Sequence, residues 1–507
     1  ITDSGTVTVG GNLSATTDAN SGVIDLGTAA VTGTVALTTN GSGNATVDNG
    51  TLNLDLAASN VGGDLTVTSG NSSGITDSGT VTVGGNFSAT TDANSGVINM
   101  GTMAVDGSFT LAPNSTGAVT IVNDAGLNLA ASTMGGTFSG TATTGNITDS
   151  GALAITGTTT LVTSADDATI TLDTTTNAFT GALTITTNDS SGTDADVTID
   201  GGTTALIIAA STIDGDLTLT SGNSSGITDS GTVTVGGNLS ATTDANNGVI
   251  DLGTAAVDGT VALTTNGNGA ATIVNDAGLN FTTSTVGGAL SATATTGDIT
   301  DSGNLTITGA ATFITGVDES NIVLDSSGNA FSNSVEMRAD AGGEDFGNIT
   351  FVDSAGIDFA TSAGSNGDLY INSSTDGTVG GNLSVTATTG NITDTVAVVT
   401  TGSSTSSFTT SATNGTIDLS TPASLAGAVT INTTGASGHA TIDNGTTALI
   451  IAASSIGGNL TLTSGAAAGI TDTGTVTVGG NLVATTDANN GVINLGTTTV
   501  TGTMDLT

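Results

Sequence analysis

Short runs of alternating apolar and polar residues cover this chain, and turns rich in glycine, asparagine, aspartate and serine separate them. One run has apolar residues at Val81, Val83, Phe87 and Ala89 and polar residues at Thr80 and Thr82. Because successive side chains of a β-strand point to opposite faces, this period of two predicts strands with the four apolar side chains inside and the threonines outside. β-branched residues dominate these runs and none has a helical period, so we predict an all-β fold without helix.

The run belongs to a phrase that recurs along the chain: an apolar residue, any residue, glycine, any residue, and two further apolar residues at alternate positions. The commonest spacing between phrase starts is the one from Val9 to Val31, and such self-similarity is typical of stacked repeats rather than of separate globular domains. The phrase starts at Val9, Val31, Val61, Val83, Val105, Met134, Ile155, Phe179, Ile213, Val235, Val257, Val286, Ile307, Phe331, Val379, Val399, Leu425, Ile456, Val478 and Val500.

Each repeat reads as a coil of three short strands joined by turns. Stacked coils pair each strand with its copies above and below, which gives parallel sheets, and crossover connections of this kind are right-handed. The expected fold class is therefore a right-handed parallel β-solenoid (β-helix) of about 20 coils, forming a rod of roughly 95–100 Å. We assign residues 1–507 to one continuous repeat array, with an irregular coil and insertion at about 332–378.

A longer repeat is also visible, because the spacing from Val83 to Val235 is the same as the spacing from Ile147 to Ile299. This coincidence indicates that blocks of several coils were duplicated. Ile1 and Thr507 both fall inside a phrase, and the strand edges of an open solenoid need a partner. We therefore expect the chain to be a segment of a longer one, or its ends to meet another subunit or a cap.

The charge of the chain limits its partners. The net charge is −43, with a single Lys or Arg and a single His, so binding to nucleic acid or to an anionic membrane surface is disfavoured. No apolar run reaches the ~18 residues of a membrane-spanning helix. We expect no nucleic-acid partner and no membrane insertion.

Four copies of an acidic turn are candidate calcium loops. Each has aspartate and asparagine at alternate positions and ends in glycine, and a hard cation needs several such oxygens. The closing glutamate of a calcium loop is missing, and the same residue types form Asx turns, so both interpretations stay open. The candidate ligands are Asp18, Asn20, Asp92, Asn94, Asp244, Asn246, Asp487 and Asn489.

Two pairs of aspartates add to the calcium hypothesis. Asp3 and Asp25 are separated by the common phrase spacing, as are Asp229 and Asp251, so stacking in register would bring each pair to ~4.8 Å. Repulsion of ~3 kcal/mol at an effective dielectric of ~20 would favour a cation between them. Ca2+ is the one cofactor that the sequence suggests, and none is required.

The irregular region concentrates the rare side chains of the chain. Extra residues between Ser362 and Thr378 contain the sole tyrosine, Tyr370. The three glutamates and the sole arginine lie just upstream, at Glu319, Glu336, Arg338 and Glu344. Loops on a rigid scaffold are frequent binding sites, although a drifted repeat with a surface loop would give the same pattern.

Catalysis is disfavoured, because Arg338 and His439 are several coils apart in the predicted stack. Aspartates are abundant, so a carboxylate pair stays open, but we predict that the protein is not an enzyme. The outward threonines, such as Thr80 and Thr82, are ordinary strand residues. They also resemble the threonine rows of some ice-binding solenoids.

Two segments share one phrase, GNITDSGALAITG at 145–157 and GDITDSGNLTITG at 297–309. Both resemble the repeat region of very large bacterial surface proteins of the filamentous-haemagglutinin type, whose N-terminal secretion domain has no counterpart in this sequence. The resemblance implies an exported β-helix that is displayed as an adhesive rod. We therefore expect an extracellular, cell-surface structural or adhesive solenoid, either an adhesin stalk or a subunit of a self-assembling, cation-stabilised filament or surface layer. Its expected partners are copies of itself, further solenoid repeats, or a cell-surface or glycan ligand.

Overall fold

A computed structural model describes residues 1–188, 190, 194–339, 347–360, 368–371 and 378–507. It shows an all-β parallel β-solenoid of about 22 turns, with no helix in these residues, which confirms the predicted fold class. The chain folds as two compact units, Ile1–Gly259 and Thr260–Thr507. Over the described part of the chain, no helix is long and apolar enough to cross a membrane.

The strands of the first unit are β1 Val7–Val9, β2 Leu13–Asn20, β3 Ile24–Leu26, β4 Ala29–Val31, β5 Thr34–Asn40, β6 Ala45–Asp48, β7 Leu54–Leu56, β8 Ser59–Val61, β9 Leu65–Ser69, β10 Ile75–Asp77, β11 Val81–Val83, β12 Phe87–Thr91, β13 Ile98–Val105, β14 Ser108–Ala112, β15 Val119–Asn123, β16 Leu127–Leu129, β17 Ser132–Met134, β18 Phe138–Ala142, β19 Ile147–Asp149, β20 Leu153–Ile155, β21 Thr159–Thr163, β22 Ile170–Leu172, β23 Ala178–Phe179, β24 Leu183–Thr186, β25 Val197–Asp200, β26 Leu206–Ile208, β27 Ser211–Ile213, β28 Leu217–Ser221, β29 Ile227–Asp229, β30 Val233–Val235, β31 Leu239–Asn246 and β32 Ile250–Val257.

The strands of the second unit are β33 Thr260–Asn266, β34 Ala271–Asn275, β35 Leu279–Phe281, β36 Ser284–Val286, β37 Leu290–Ala294, β38 Ile299–Asp301, β39 Leu305–Ile307, β40 Ala311–Thr315, β41 Ile322–Leu324, β42 Ala330–Phe331, β43 Val335–Arg338, β44 Ile349–Asp353, β45 Ile357–Phe359, β46 Asp368–Ile371, β47 Thr378–Val379, β48 Leu383–Ala387, β49 Ile392–Asp394, β50 Val399–Thr400, β51 Ser406–Thr413, β52 Ile417–Leu419, β53 Ala428–Thr434, β54 Ala440–Asp443, β55 Leu449–Ile451, β56 Ser454–Ile456, β57 Leu460–Ser464, β58 Ile470–Asp472, β59 Val476–Val478, β60 Leu482–Thr486, β61 Ile493–Asn494, β62 Thr498–Val500 and β63 Met504–Leu506.

A coil of the first unit shows the three predicted strands. β10 pairs in parallel with β7 and β13, β11 pairs with β8 and β13, and β12 pairs with β9 and β14. Val83 lies opposite Val61 on one side and Val105 on the other, and all three are phrase starts. The register of these phrase starts is therefore the register of the stacked strands.

The core of each unit is formed by the inward residues of these strands. In the coil above, the exposed threonines Thr80 and Thr82 alternate with fully buried Val81, Val83, Phe87 and Ala89, as predicted. Each buried Val or Phe side chain contributes about 1.5–3 kcal/mol. In the second unit, Phe313 packs edge-to-face on Phe281 and Phe331, with ring centroids 6.3 and 6.1 Å apart.

One predicted phrase start is wrong by one residue. Val379 lies opposite Thr400, and Val399 pairs with the preceding residue, Thr378. Val398 and Thr400 are buried while Val399 between them is half-buried. Two adjacent valines leave the phase of the alternation open, and the strand turns Val398 inward.

Asparagines enter the core where a coil turns. Asn49, Asn123 and Asn444 are fully buried. The side-chain amide of Asn123 accepts the N–H of Val105 at 2.9 Å and donates to the carbonyls of Val105 at 3.0 Å and Gly126 at 2.6 Å. A buried polar group without a partner is costly. The amide of Asn123 supplies partners to the backbone groups of Val105 and Gly126 and is itself satisfied by them.

Candidate functional site

The four acidic turns fold alike. In the first, the Thr17 hydroxyl donates to the Gly22 carbonyl at 3.0 Å, and the Asn40 amide of the next coil donates to the Asp18 carbonyl at 3.0 Å. The residue before the closing glycine has a positive φ of 58° to 65° in every copy, at Ser21, Ser95, Asn247 and Asn490. These contacts hold the turn by hydrogen bonds between side chains and backbone.

The predicted calcium ligands on these turns all lie at the surface. The exposed side chains are Asp18, Asn20, Asp92, Asn94, Asp244, Asn246, Asp487 and Asn489. Among the described residues, no three His, Cys, Asp or Glu side chains are placed to hold a metal ion together. The calcium hypothesis stays a prediction.

The predicted stacking of aspartate on aspartate is wrong by one residue. Asp25 lies opposite Thr2 instead of Asp3, and Asp251 lies opposite the residue before Asp229. Strands β29 and β32 pair with a sequence separation one residue greater than that between the paired phrase starts Val235 and Val257. The repulsion expected from a direct stack of carboxylates therefore gives no reason for a cation between them.

The first aspartate of each pair instead holds a loop of the next coil. The carboxylate of Asp229 accepts the N–H of Gly253 at 3.2 Å, and the N–H and hydroxyl of Thr254 at 2.6 and 2.7 Å. Asp472 accepts the same three bonds from Gly496 and Thr497, at 3.0, 2.8 and 2.7 Å. We call this contact the carboxylate clasp. Two further copies occur: the Asp3 carboxylate accepts from Thr28, and the Asp77 carboxylate accepts from Gly101 and Thr102.

At Asp472 the clasp lowers the pKa of the carboxyl group. Partial burial by itself would raise the pKa of Asp472, but the bonds donated by Thr497 and Gly496 outweigh burial, and the pKa is lowered. Hydrogen bonds to the ionised form favour that form. The clasp at Asp472 is therefore an interaction of the charged carboxylate.

A second set of side-chain bonds runs from coil to coil in the second unit. The Asn321 N–H donates to the Asp298 carboxylate at 2.7 Å, the Asn348 N–H to Asn321 Oδ1 at 2.8 Å, and the Asn382 N–H to Asn348 Oδ1 at 2.8 Å. The Thr405 N–H continues the series on Asn382 at 2.8 Å. We call this series the Asx ladder.

The sole histidine stands in a similar ladder. Nδ1 of His439 accepts the N–H of Asn459 at 2.8 Å, and Oδ1 of Asn459 accepts the N–H of Asn481 at 2.9 Å. His439 therefore occupies the place that asparagine or aspartate takes elsewhere, and its observed contact is structural.

Two aspartates of the second unit have a raised pKa. Asp353 is 2% exposed and accepts the Phe331 N–H at 3.1 Å, and burial raises its pKa. Burial, assisted by Asp418 and Asp358, raises the pKa of Asp394 to about 6. One carboxylate oxygen of Asp394 is buried without a hydrogen-bond partner.

The structure brings three of the rare side chains together. Strands β43 and β46 pair in parallel with Glu336 opposite Tyr370, and Arg338 follows Glu336 at the next position on the same face. All three side chains are half-buried. They belong to the outward face, since the residues that alternate with them along the strands are buried. Nε of Arg338 is sealed from solvent without a hydrogen-bond partner. Glu344 and most of the predicted insertion, 362–378, lie outside the described residues.

Outward hydroxyls also stack in register. In the first unit Thr148, Thr171, Thr198 and Thr218 occupy one column of successive strands, and all four are half-buried. This arrangement agrees with the expected outward rows, while binding to ice stays untested.

A protein-family model matches the chain four times. The model describes repeats of unknown function (DUF5649), and the copies cover residues 42–112, 116–186, 194–266 and 268–338, more than half of the sequence. The chain belongs to this family. The starts of the second and fourth DUF5649 copies, at 116 and 268, are as far apart as Val83 and Val235, so the block seen in the sequence equals two family repeats. No curated protein and no solved structure matches the chain.

Proposed function

We propose that this chain is an extracellular structural and adhesive solenoid, displayed at a cell surface as a stalk or filament and without catalytic activity. The observation that supports this most is the repeated side-chain bonding between coils. The carboxylate clasp and the Asx ladder tie several neighbouring coils together in addition to the backbone, which suits a part that bears load along the stack. The resemblance to repeats of the filamentous-haemagglutinin type points in the same direction.

Immunogold labelling of intact source cells, compared with permeabilised cells, tests the location. We expect label on intact cells, and deletion of the gene is expected to reduce adhesion to surfaces or to other cells. Complementation with the full gene should restore adhesion. Label that appears only after permeabilisation would overturn the proposal.

A second candidate is a filament or surface layer that divalent cations stabilise. The exposed acidic turns favour it, because a chain with a net charge of −43 and one Lys or Arg packs against its own copies only when the charge is screened. Thermal unfolding and electron microscopy in excess Ca2+ and in chelator, at matched ionic strength, test this candidate. Replacing Asp18, Asp92, Asp244 and Asp487 together by Asn should abolish any calcium effect, while equal unfolding temperatures in the two buffers would remove the idea.

A further inference from the structure

We propose that the outward patch formed by Glu336, Arg338 and Tyr370 binds a neutral saccharide. The proposal deepens the adhesive role and rests on it for its biological meaning. The sole arginine and the sole tyrosine of the chain lie on two paired strands, with Glu336 and Tyr370 as Cα partners. Three of the rarest side chains of the chain therefore share one face of two paired strands.

The duplicated block shows what these positions are without the patch. The equivalent residues one block earlier are Thr184 and Thr186 on β24, where Glu336 and Arg338 stand on β43. The strand before β24 presents Thr160 and Val162 at the paired positions, and the strand before β43 presents Thr312 and Ile314. The same scaffold therefore carries ordinary strand residues in one block and a distinct chemical surface in the other.

The side chains of the patch match the groups of a sugar. A guanidinium supplies fixed donors and a carboxylate supplies acceptors, and the two stand at successive outward positions of one strand. Nε of Arg338 is sealed from solvent, so a saccharide would meet the terminal nitrogens of the guanidinium. The Tyr370 ring and the half-buried Ile314 offer apolar area for the C–H face of the sugar ring.

The charge of the chain selects the class of saccharide. A field from a net charge of −43 repels polyanions, and Glu336 beside Arg338 offsets the single cation locally. A neutral oligosaccharide meets neither penalty. Sulfated, uronic or phosphorylated glycans are therefore expected to bind more weakly than neutral ones.

The composition makes the test specific. The chain has one tyrosine and no tryptophan, so its intrinsic fluorescence reports on Tyr370 alone. We would screen the full chain on an array of neutral and anionic oligosaccharides, and then titrate the neutral probe with the strongest retention while following tyrosine emission. Saturable change with a neutral probe is expected, and strongest retention of heparin fragments or of uronic-acid oligomers would overturn the assigned class.

The variants are Arg338→Thr and Glu336→Thr, which restore the residues of the earlier block and should leave the fold intact. Calorimetric titration is expected to show about tenfold or greater loss of affinity for each. Thr184→Ala and Thr186→Ala are the matched controls in the first unit and should change nothing. Unaltered binding in Arg338→Thr, or no retention of any neutral probe, would overturn the site. Cell adhesion that persists in Arg338→Thr while saccharide binding is absent would leave the adhesive function and the saccharide site standing and would refute only the part of the patch in adhesion.

Discussion

Asp353 offers the sharpest test of how the core is built. It aligns with Asn123, since the segment 350–356 repeats the pattern of 120–126. Asn123 accepts one N–H and donates to two carbonyls, whereas the Asp353 carboxylate accepts the Phe331 N–H at 3.1 Å. An ionised carboxylate at this place cannot donate. Asp353→Asn is therefore expected to stabilise its coil.

The magnitude follows from the two restored donors and the removed charge. Each restored hydrogen bond contributes about 0.5–1.5 kcal/mol, so Asp353→Asn should gain roughly 1–3 kcal/mol at pH 7. Burial raises the pKa of Asp353, so the folded state binds the proton more tightly than the unfolded chain. Its contribution to stability is fully present below the unfolded pKa of ~3.9 and is lost as pH rises through the folded value. The advantage of the Asn variant should therefore shrink at pH 4.

Hydrogen exchange of the amides in 349–359 measures this local stability at pH 4 and pH 7, after correction for the intrinsic rate. The reciprocal variant Asn123→Asp is the matched control, and it should destabilise its own coil at pH 7 more than at pH 4. An Asp353→Asn variant that exchanges faster than the natural chain at pH 7 would refute the account. So would a difference that stays constant with pH.

Three further predictions concern single side chains, each measured by local hydrogen exchange. Burial raises the pKa of Asp394 to about 6, so the contribution of Asp394 to stability should fall as pH rises from ~4 to ~6. Asp394→Asn should therefore gain about 1–2 kcal/mol at pH 7 after allowance for solvent screening. Equal stability of the variant and the natural chain at pH 7 would contradict this. Asp472→Ala should lose about 1–2 kcal/mol of stability at pH 7, and because the pKa of Asp472 is lowered, this loss should diminish as pH falls below ~4. The control is Asp487→Ala, at an exposed aspartate of an acidic turn. A loss of the same size in the control would show that the charge, and not the clasp, stabilises the coil. His439→Asn should keep the bond to Asn459 and stay within about 0.5 kcal/mol of the natural chain, whereas His439→Leu should lose about 0.5–1.5 kcal/mol; an equal loss in both variants would refute the ladder role.

The side chains that point into the core could be predicted from the sequence because only one of the two faces of a strand carries its apolar residues. A shift of one residue in a strand would expose its whole apolar set, so Val81 and Val83 fix their strand without any structural knowledge. The prediction failed where apolar residues were adjacent, at Val398 and Val399, since both phases of the alternation bury a valine.

The carboxylate clasp could not be predicted from phrase starts alone. The acidic turn adds one residue to the coil, and the segment Ile250–Val257 is one residue shorter than its partner Ile227–Val235. The two changes cancel in the spacing of the phrase starts and hide the local shift of register. A pattern was nevertheless present, because Gly and Thr follow the clasp aspartate at the same two sequence separations in several copies.

Outward strand positions are where such a chain can acquire function. Backbone pairing and the inward row are satisfied whatever stands at an outward position that makes no side-chain bond between coils, so substitutions at such positions cost little stability. Thr184 and Glu336 occupy equivalent places on equivalent strands, with buried Leu183 and Val335 beside them. A repeat array can therefore keep its scaffold in every block and alter its chemistry in one. The positions at which duplicated blocks differ on the outer face are accordingly the first places to look for specificity in this chain, and the pair at 336 and 338 stands out because the earlier block has threonine at both equivalent positions.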